Sequence, residues 1–204
     1  MRSILSLLLI FSIAGTAFAA STPEQSVRNA QYAIDTKNAD LFDQLVDFNR
    51  ILIAATDLLL DEAAKPNGQL PPILALMLSS VKDSQALGSL RNLIVQETHA
   101  FIRYGILSGN FAGAPDQSVR PGGILASLFG NVSMARKELR IIGPSAPEGQ
   151  ERFLLPVELK DFGNGNTYPL LLRLQWSSPD WRIVEIVNLP DIWNQILAEA
   201  ESQR

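Results

Sequence analysis

Cysteine is absent from this chain. That excludes a disulfide framework, a thiolate nucleophile and a lipid-modified cysteine, and leaves burial and hydrogen bonding to hold the fold. Histidine is nearly absent too: His99 stands alone, and one histidine without ligand-spaced acids or cysteines builds no metal site. No Gly-x-Ser-x-Gly elbow occurs. Gly109-Asn110-Phe111-Ala112-Gly113 and Pro121-Gly122-Gly123 have neither phosphate-loop spacing nor a following Lys-Ser/Thr, so they read as loop punctuation and imply no cofactor. Positive charge is in deficit, with 17 Lys and Arg against 21 Asp and Glu, a net charge of −4. A mildly acidic surface repels nucleic acid and anionic headgroups. Beyond the first residues no apolar run reaches the roughly 20 residues of a membrane-spanning helix, so the chain is not expected to be integral to a membrane.

The first residues carry the strongest signal. Arg2 precedes an apolar stretch from Ile4 to Ile13, and Ala17-Phe18-Ala19 follows Gly15. A positive start, a short apolar core and an Ala-x-Ala site describe a cleavable secretory signal peptide over residues 1–19, and a periplasmic or secreted address. Cleavage removes Arg2 and makes the net charge −5. Residues 20–204 then suit one domain with an adequate core.

Helical periodicity fills residues 22–129. Thr22-Pro23-Glu24-Gln25 predicts a helix start, with Thr22 as N-cap, Pro23 in the first turn and Gln25 closing a capping box. Asp40 is expected to cap a second helix carrying Phe42 and Leu45. Ile51–Ala64 reads as a third, stopped by Pro66-Asn67-Gly68, and Ile73–Val81 as a fourth. The longest helix is expected over Gln85–Leu107. Its apolar arc runs through Leu87, Leu90, Ile94, Thr98, Phe101 and Gly105, with Asn92, Gln96, His99 and Arg103 opposite. A loop over Gly109–Gly123, long enough for a lid or partner contact, leads to a short apolar piece, Ile124–Phe129.

Over residues 132–187 the period becomes two. Ser133–Ile142 is a polar strand suited to an edge. Phe153, Leu155, Val157 and Leu159 form one inward row, and Tyr168, Leu170, Leu172, Leu174 and Trp176 the next. Gly163-Asn164-Gly165 supplies hairpin-turn chemistry and Ser177-Ser178-Pro179-Asp180 a second turn. Trp181–Val187 is the last strand, and residues 190–201 form a C-terminal helix with Ile192, Trp193, Ile196 and Leu197 on its apolar side. Helices first and an antiparallel meander of about four strands afterwards, without βαβ alternation, describe an α+β fold with N-terminal helices packed on a curved sheet.

Two stretches carry a resemblance. Tyr32 to Phe48, ending in Val46-Asp47-Phe48, and Trp181-Arg182-Ile183-Val184-Glu185-Ile186 resemble exported bacterial proteins of unknown function in the nuclear-transport-factor-like, cystatin-like α+β superfamily. The resemblance covers the two ends of the exported part, and residues 66–129 depart from the usual compact plan. It implies a sheet wrapped on helices around a cone-shaped cavity, which some members use for ligands or catalysis and others for partners. Fold alone transfers no function.

Four side chains are weak candidates for ligand binding. Glu97 and Tyr104, seven residues apart on one flank of the long helix, pair a carboxylate with a phenol at the border of the apolar arc. Arg173 and Glu185 depend on strand register. If Trp176 pairs with Trp181, Glu185 falls opposite Leu172 inside the apolar row. A shift by one sets Arg173 against Glu185, with Leu172 and Leu174 meeting Ile186 and Val184. Burying an unpaired carboxylate costs several kcal/mol, so the shifted register is favoured and Glu185 is structural. His99, on the polar arc beside Gln96 and Arg103, without acidic or cysteine ligand spacing and without an evident acid partner, reads as neither a general base nor a metal ligand. Trp176, Trp181 and Trp193 read as packing rather than an aromatic binding cluster. Asn131-Val132-Ser133 matches a glycosylation sequon, a frequent chance event.

The expected function is therefore an exported, non-enzymatic binding or interaction domain for a small hydrophobic ligand or a protein partner, with the apolar helices over 51–64 and 73–81 lining a cavity or a homodimer face. The alternatives are a small hydrolase- or isomerase-like enzyme using Glu97 or Glu185 with Tyr104, and an accessory subunit of a cell-envelope assembly.

Overall fold

The computed structural model describes residues 21–65, 72–116, 118 and 133–202. The stretch expected to be a signal peptide, the Pro66-Asn67-Gly68 stop, the Ile124–Phe129 piece, most of the sequon and the middle of the long loop lie outside them. The architecture is α+β: six helices among the described residues, the last of them C-terminal, and an open antiparallel sheet of five strands.

Three helices open the fold. Helix α1 spans Pro23–Asp35, and the Thr22 side chain accepts from Gln25 N at 3.1 Å. The expected capping box is only half formed: the Gln25 side chain donates forward to Asn29 at 2.9 Å, and among the described residues it accepts nothing from Thr22 N. Helix α2 spans Ala39–Leu45 and is capped by Asn38, not Asp40; the Asn38 side chain accepts from Leu41 N at 3.0 Å. Asp40 lies in the first turn and pairs with Arg103 instead. Helix α3 runs Phe48–Ala63 from an Asp47 cap. It starts three residues before the expected Ile51, because an acceptor side chain just before Phe48 satisfies the first free N–H groups. Helix α4 spans Pro72–Ser79, and α5 spans Ser84–Leu107 from an Asp83 cap.

The strands are β1 (Lys137–Ile141), β2 (Ala146–Pro147), β3 (Arg152–Asp161), β4 (Thr167–Ser177) and β5 (Asp180–Ile186). Spatial order is β1-β3-β4-β5, with β2 sharing the outer edge of β3 beyond β1. Helix α6, Leu189–Ser202, folds back against β4 and α3. Asn188 fixes that return: its side chain accepts from Leu171 N and donates to Pro169 O, both at 2.8 Å, where β5 has already left β4.

The last two strands resolve the register in an unexpected way. Trp176 pairs with Trp181 and Leu174 with Ile183, as the turn demands. Arg173 pairs with Glu185 and Leu172 with Ile186, as charge burial demands. A bulge between Arg173 and Leu174 reconciles them, with Val184 as the extra residue. Leu174 therefore meets Ile183 and not Val184. One inserted residue lets both halves of the strand keep their apolar side chains inward, and Ile183 and Val184 are both buried.

The core lies between the inward rows of the sheet and helices α1, α2 and α5, with Ala30, Ala33, Leu155, Val157 and Leu174 sealed from water. The apolar arc of α5 is buried at Leu90, Ile94 and Gly105, but Leu87 faces solvent. Gly105 permits a close approach. A Cβ there would stand 2.3 Å from the ring of Phe111, whose N–H donates to Gly105 O at 3.0 Å. The chain after α5 thus turns its first aromatic ring under the helix.

Candidate ligand-binding site

The core is not filled. Between the sheet and helices α3 and α5 lies a cavity of about 330 Å³ that no polar atom lines. Ile51, Leu52 and Ala55 of α3, Ile102 and Ile106 of α5, and Phe111 form its helical side; Leu170, Leu172, Ile183 and Ile186 lie on the sheet side. Ala55 supplies little bulk where α3 faces the sheet. Lys137 contributes only its aliphatic stem. Its ammonium is turned to Asp161 Oδ2 at 2.7 Å and Ser133 O at 2.8 Å, above the Phe111 ring. Long basic side chains commonly divide in this way between apolar and polar surroundings. Burial raises the Asp161 carboxyl, but Lys137, the Gly163 N–H and the Ser133 hydroxyl outweigh it, and the net displacement is below the ordinary aspartate value.

A second, polar cleft of about 280 Å³ opens beside the cavity and shares Val46, Phe48 and Leu52 with it. His99 of α5 meets Asp43 of α2 here: Nε2 lies 2.8 Å from Oδ1, and the imidazole packs on Phe48 at 4.9 Å between ring centres. The sequence reading of His99 as a histidine without an acidic neighbour is corrected, because the fold brings in a carboxylate from 56 positions away. Arg103 binds the other Asp43 oxygen and also Asp40; the Asp40 hydrogen bond leads in pushing its guanidinium upward. On the other wall Arg182 of β5 donates from Nη2 to Asp43 O and Val46 O, each at 3.3 Å, closing the end of α2. Val46 itself makes a parallel bridge to Ile183, and Asp47 N donates to Ile183 O at 2.8 Å. The Val-Asp-Phe stretch is thus a joint in which Val46 docks on the sheet, Asp47 caps α3 and Phe48 borders both cleft and cavity.

Arg173 and Glu185 are brought together, and with them Glu148 and Arg50. Hydrogen bonds first to Glu148 and then to Glu185 push the Arg173 guanidinium far up, and Arg173 holds the Glu148 carboxyl below its usual range. Glu185 also rims a groove of about 510 Å³ between α3 and the start of α6, beside Arg50, Asp57 and Asp61. Glu97 and Tyr104 are half-buried on α5 and line neither the cavity, the cleft nor this groove. Trp176 and Trp181 pack edge to face at 5.4 Å, and Phe153 against Trp181 at 5.1 Å. Trp193, on α6, has a buried indole nitrogen without an acceptor.

Sequence reasoning missed Asp43 and Arg182; of the two helices expected to line a cavity, the described residues supply Ile51, Leu52 and Ala55 from the first and none from 73–81. Nothing local marks Asp43, and Arg182 stood out only as a basic residue opening the last strand. Among the described residues no group of three or more His, Asp or Glu could hold a metal ion, and no helix is long and apolar enough to cross a membrane. Comparison with family models, curated proteins and solved structures finds no match to this chain. The superfamily resemblance has no support from them, so any function must come from the geometry.

Proposed function

We propose that this chain is an exported, non-enzymatic binding domain that shelters a small apolar ligand between its sheet and helices α3 and α5. The observation that carries the reading is the cavity of about 330 Å³ with no polar atom on its walls. That volume sits at the lower end of small-molecule sites, and a dry apolar space of half that size already takes up small hydrocarbons. The leader pattern at residues 1–19 supports export. The alternative of a cavity-based enzyme gains nothing from this space, since no titratable atom reaches it.

The test uses a neutral hydrophobic dye such as Nile red and an Ala55→Phe variant, which adds a ring where Ala55 borders the empty space. The wild type should bind the dye with enhanced fluorescence. The variant should bind at least about tenfold more weakly while unfolding at the same or a higher temperature, because filling a void restores contacts. Undiminished dye binding by a folded variant would place the ligand elsewhere.

A second reading, contact with another protein chain, is favoured by one feature. Helix α4 carries no charged residue, and Leu76 on it is 67% exposed, an arrangement more common at interfaces than on free surfaces.

A further inference from the structure

We infer that the polar cleft beside the cavity is a head-group site, and that the ligand is an aliphatic monocarboxylate whose chain enters the cavity while its carboxylate meets Arg182. This rests on the cavity reading and names the class of molecule it would hold. Arg182 has no carboxylate within ion-pair distance among the described residues; only Nη2 is used, on two backbone carbonyls. Its Nε is sealed from solvent and has no acceptor. Its Nη1 has no acceptor among the described residues either, and that nitrogen is the donor a ligand carboxylate would take. The two acids of the cleft are already engaged. Asp43 receives His99 and Arg103, and Asp47 accepts from Arg50 N at 3.2 Å as the cap of α3. The Asn49 and Gln96 amides, exposed on the rim, offer further donors. Phe48, Leu52 and Val46 supply the apolar path, since they line both spaces. Charge-assisted hydrogen bonds to a guanidinium are about twice as strong as neutral ones, so the cleft gives a carboxylate what the cavity cannot.

The sign of a simple preference decides the matter. A purely apolar cavity favours an alcohol over a carboxylate of equal chain length, because burying the charge is costly. Displacement of the dye by decanoate and by decanol should instead show decanoate binding about tenfold more tightly. Arg182→Gln should abolish that preference and leave decanol affinity unchanged. Asn49→Asp, at an exposed position, should weaken decanoate alone, and it decides the question if Arg182→Gln does not fold. Decanol equal to or tighter than decanoate on the wild type, or a preference that survives both substitutions, overturns the head-group site and leaves the cavity reading standing. If neither compound displaces the dye, both readings fall together.

Discussion

The two ends of the core are built differently. On the sheet side Leu155, Val157 and Leu174 are fully enclosed. Around the first half of α5 a separate cluster has, among the described residues, two buried members, Leu90 and Ile94, with Leu59, Met77, Leu78, Val81 and Leu93 half-buried around them. The chemistry is similar, since both regions are rich in leucine and isoleucine. The difference is in layers. A core side chain on the sheet side lies between two layers, whereas the described members of this cluster come from helices α3, α4 and α5 and the turn after α4, with no strand residue among them. Apolar composition therefore overstates the stability of the helical middle, where Leu76 and Leu87 reach solvent. It understates that of the meander.

Leucine truncation in each region should give the largest contrast. Leu155→Ala removes a side chain with no exposure and should cost about 4 kcal/mol. Leu78→Ala, at a half-buried position of the α4–α5 cluster, should cost about 1 kcal/mol by the same rule scaled to the smaller burial. Equilibrium denaturation in urea measures both. Equal losses would show that the helical middle is packed as firmly as the sheet.

The Lys137–Asp161 pair sharpens the same comparison from the polar side. Its side chains are 14% and 10% exposed, unlike the open ion pairs elsewhere. Lys137→Met should cost about 3 kcal/mol at neutral pH by leaving a buried carboxylate unpaired. The pH dependence has a definite sign. The Asp161 carboxyl is lowered in the folded chain, so its contribution is complete above the unfolded aspartate value of about 4 and is lost as pH falls through the folded value. In the Lys137→Met chain burial acts unopposed by that cation, and stability should recover relative to wild type in acid. Urea midpoints measured against pH separate these outcomes.

Much of this architecture was legible because its causes are local. Thr22 before Pro23 announced α1, and the inward rows of β3 and β4 followed from alternation. Where the outcome depended on residues far apart, local rules failed. The pairings of Trp176 with Trp181 and of Arg173 with Glu185 were each derivable, yet they excluded one another in an unbroken ladder. Only a bulge at Val184 admits both, and its cost is settled by packing that the sequence does not display. His99 acquired a carboxylate because α2 lies across α5. A cavity along 51–64 was expected from surplus apolar residues, but its other walls, Ile102, Ile106 and Phe111 with Leu170 and Leu172, depend on how distant elements meet. Asn38 displaced Asp40 as a cap by two positions, within the usual uncertainty of helix ends.

The bulge yields a smaller effect. Glu185→Gln keeps the shape of the side chain and removes the charge facing Arg173 and Arg50. Arg173 retains Glu148, so the loss should be about 1 kcal/mol, and it should shrink as salt screens the remaining pairs. If the register were instead held by the Trp176–Trp181 turn alone, the substitution would change nothing measurable in thermal unfolding at low salt.

The smallest effect belongs to Leu76, and its smallness is the point. At 67% exposure it has given up little apolar area to the fold, so Leu76→Gln should alter the unfolding free energy of the isolated chain by less than about 0.5 kcal/mol. If α4 covers a partner or a second copy, the same substitution should leave urea unfolding unchanged while lowering any self-association seen by sedimentation. A loss of stability as large as that of Leu78→Ala would mean instead that α4 belongs to the core, and the contrast between the two ends of the molecule would vanish.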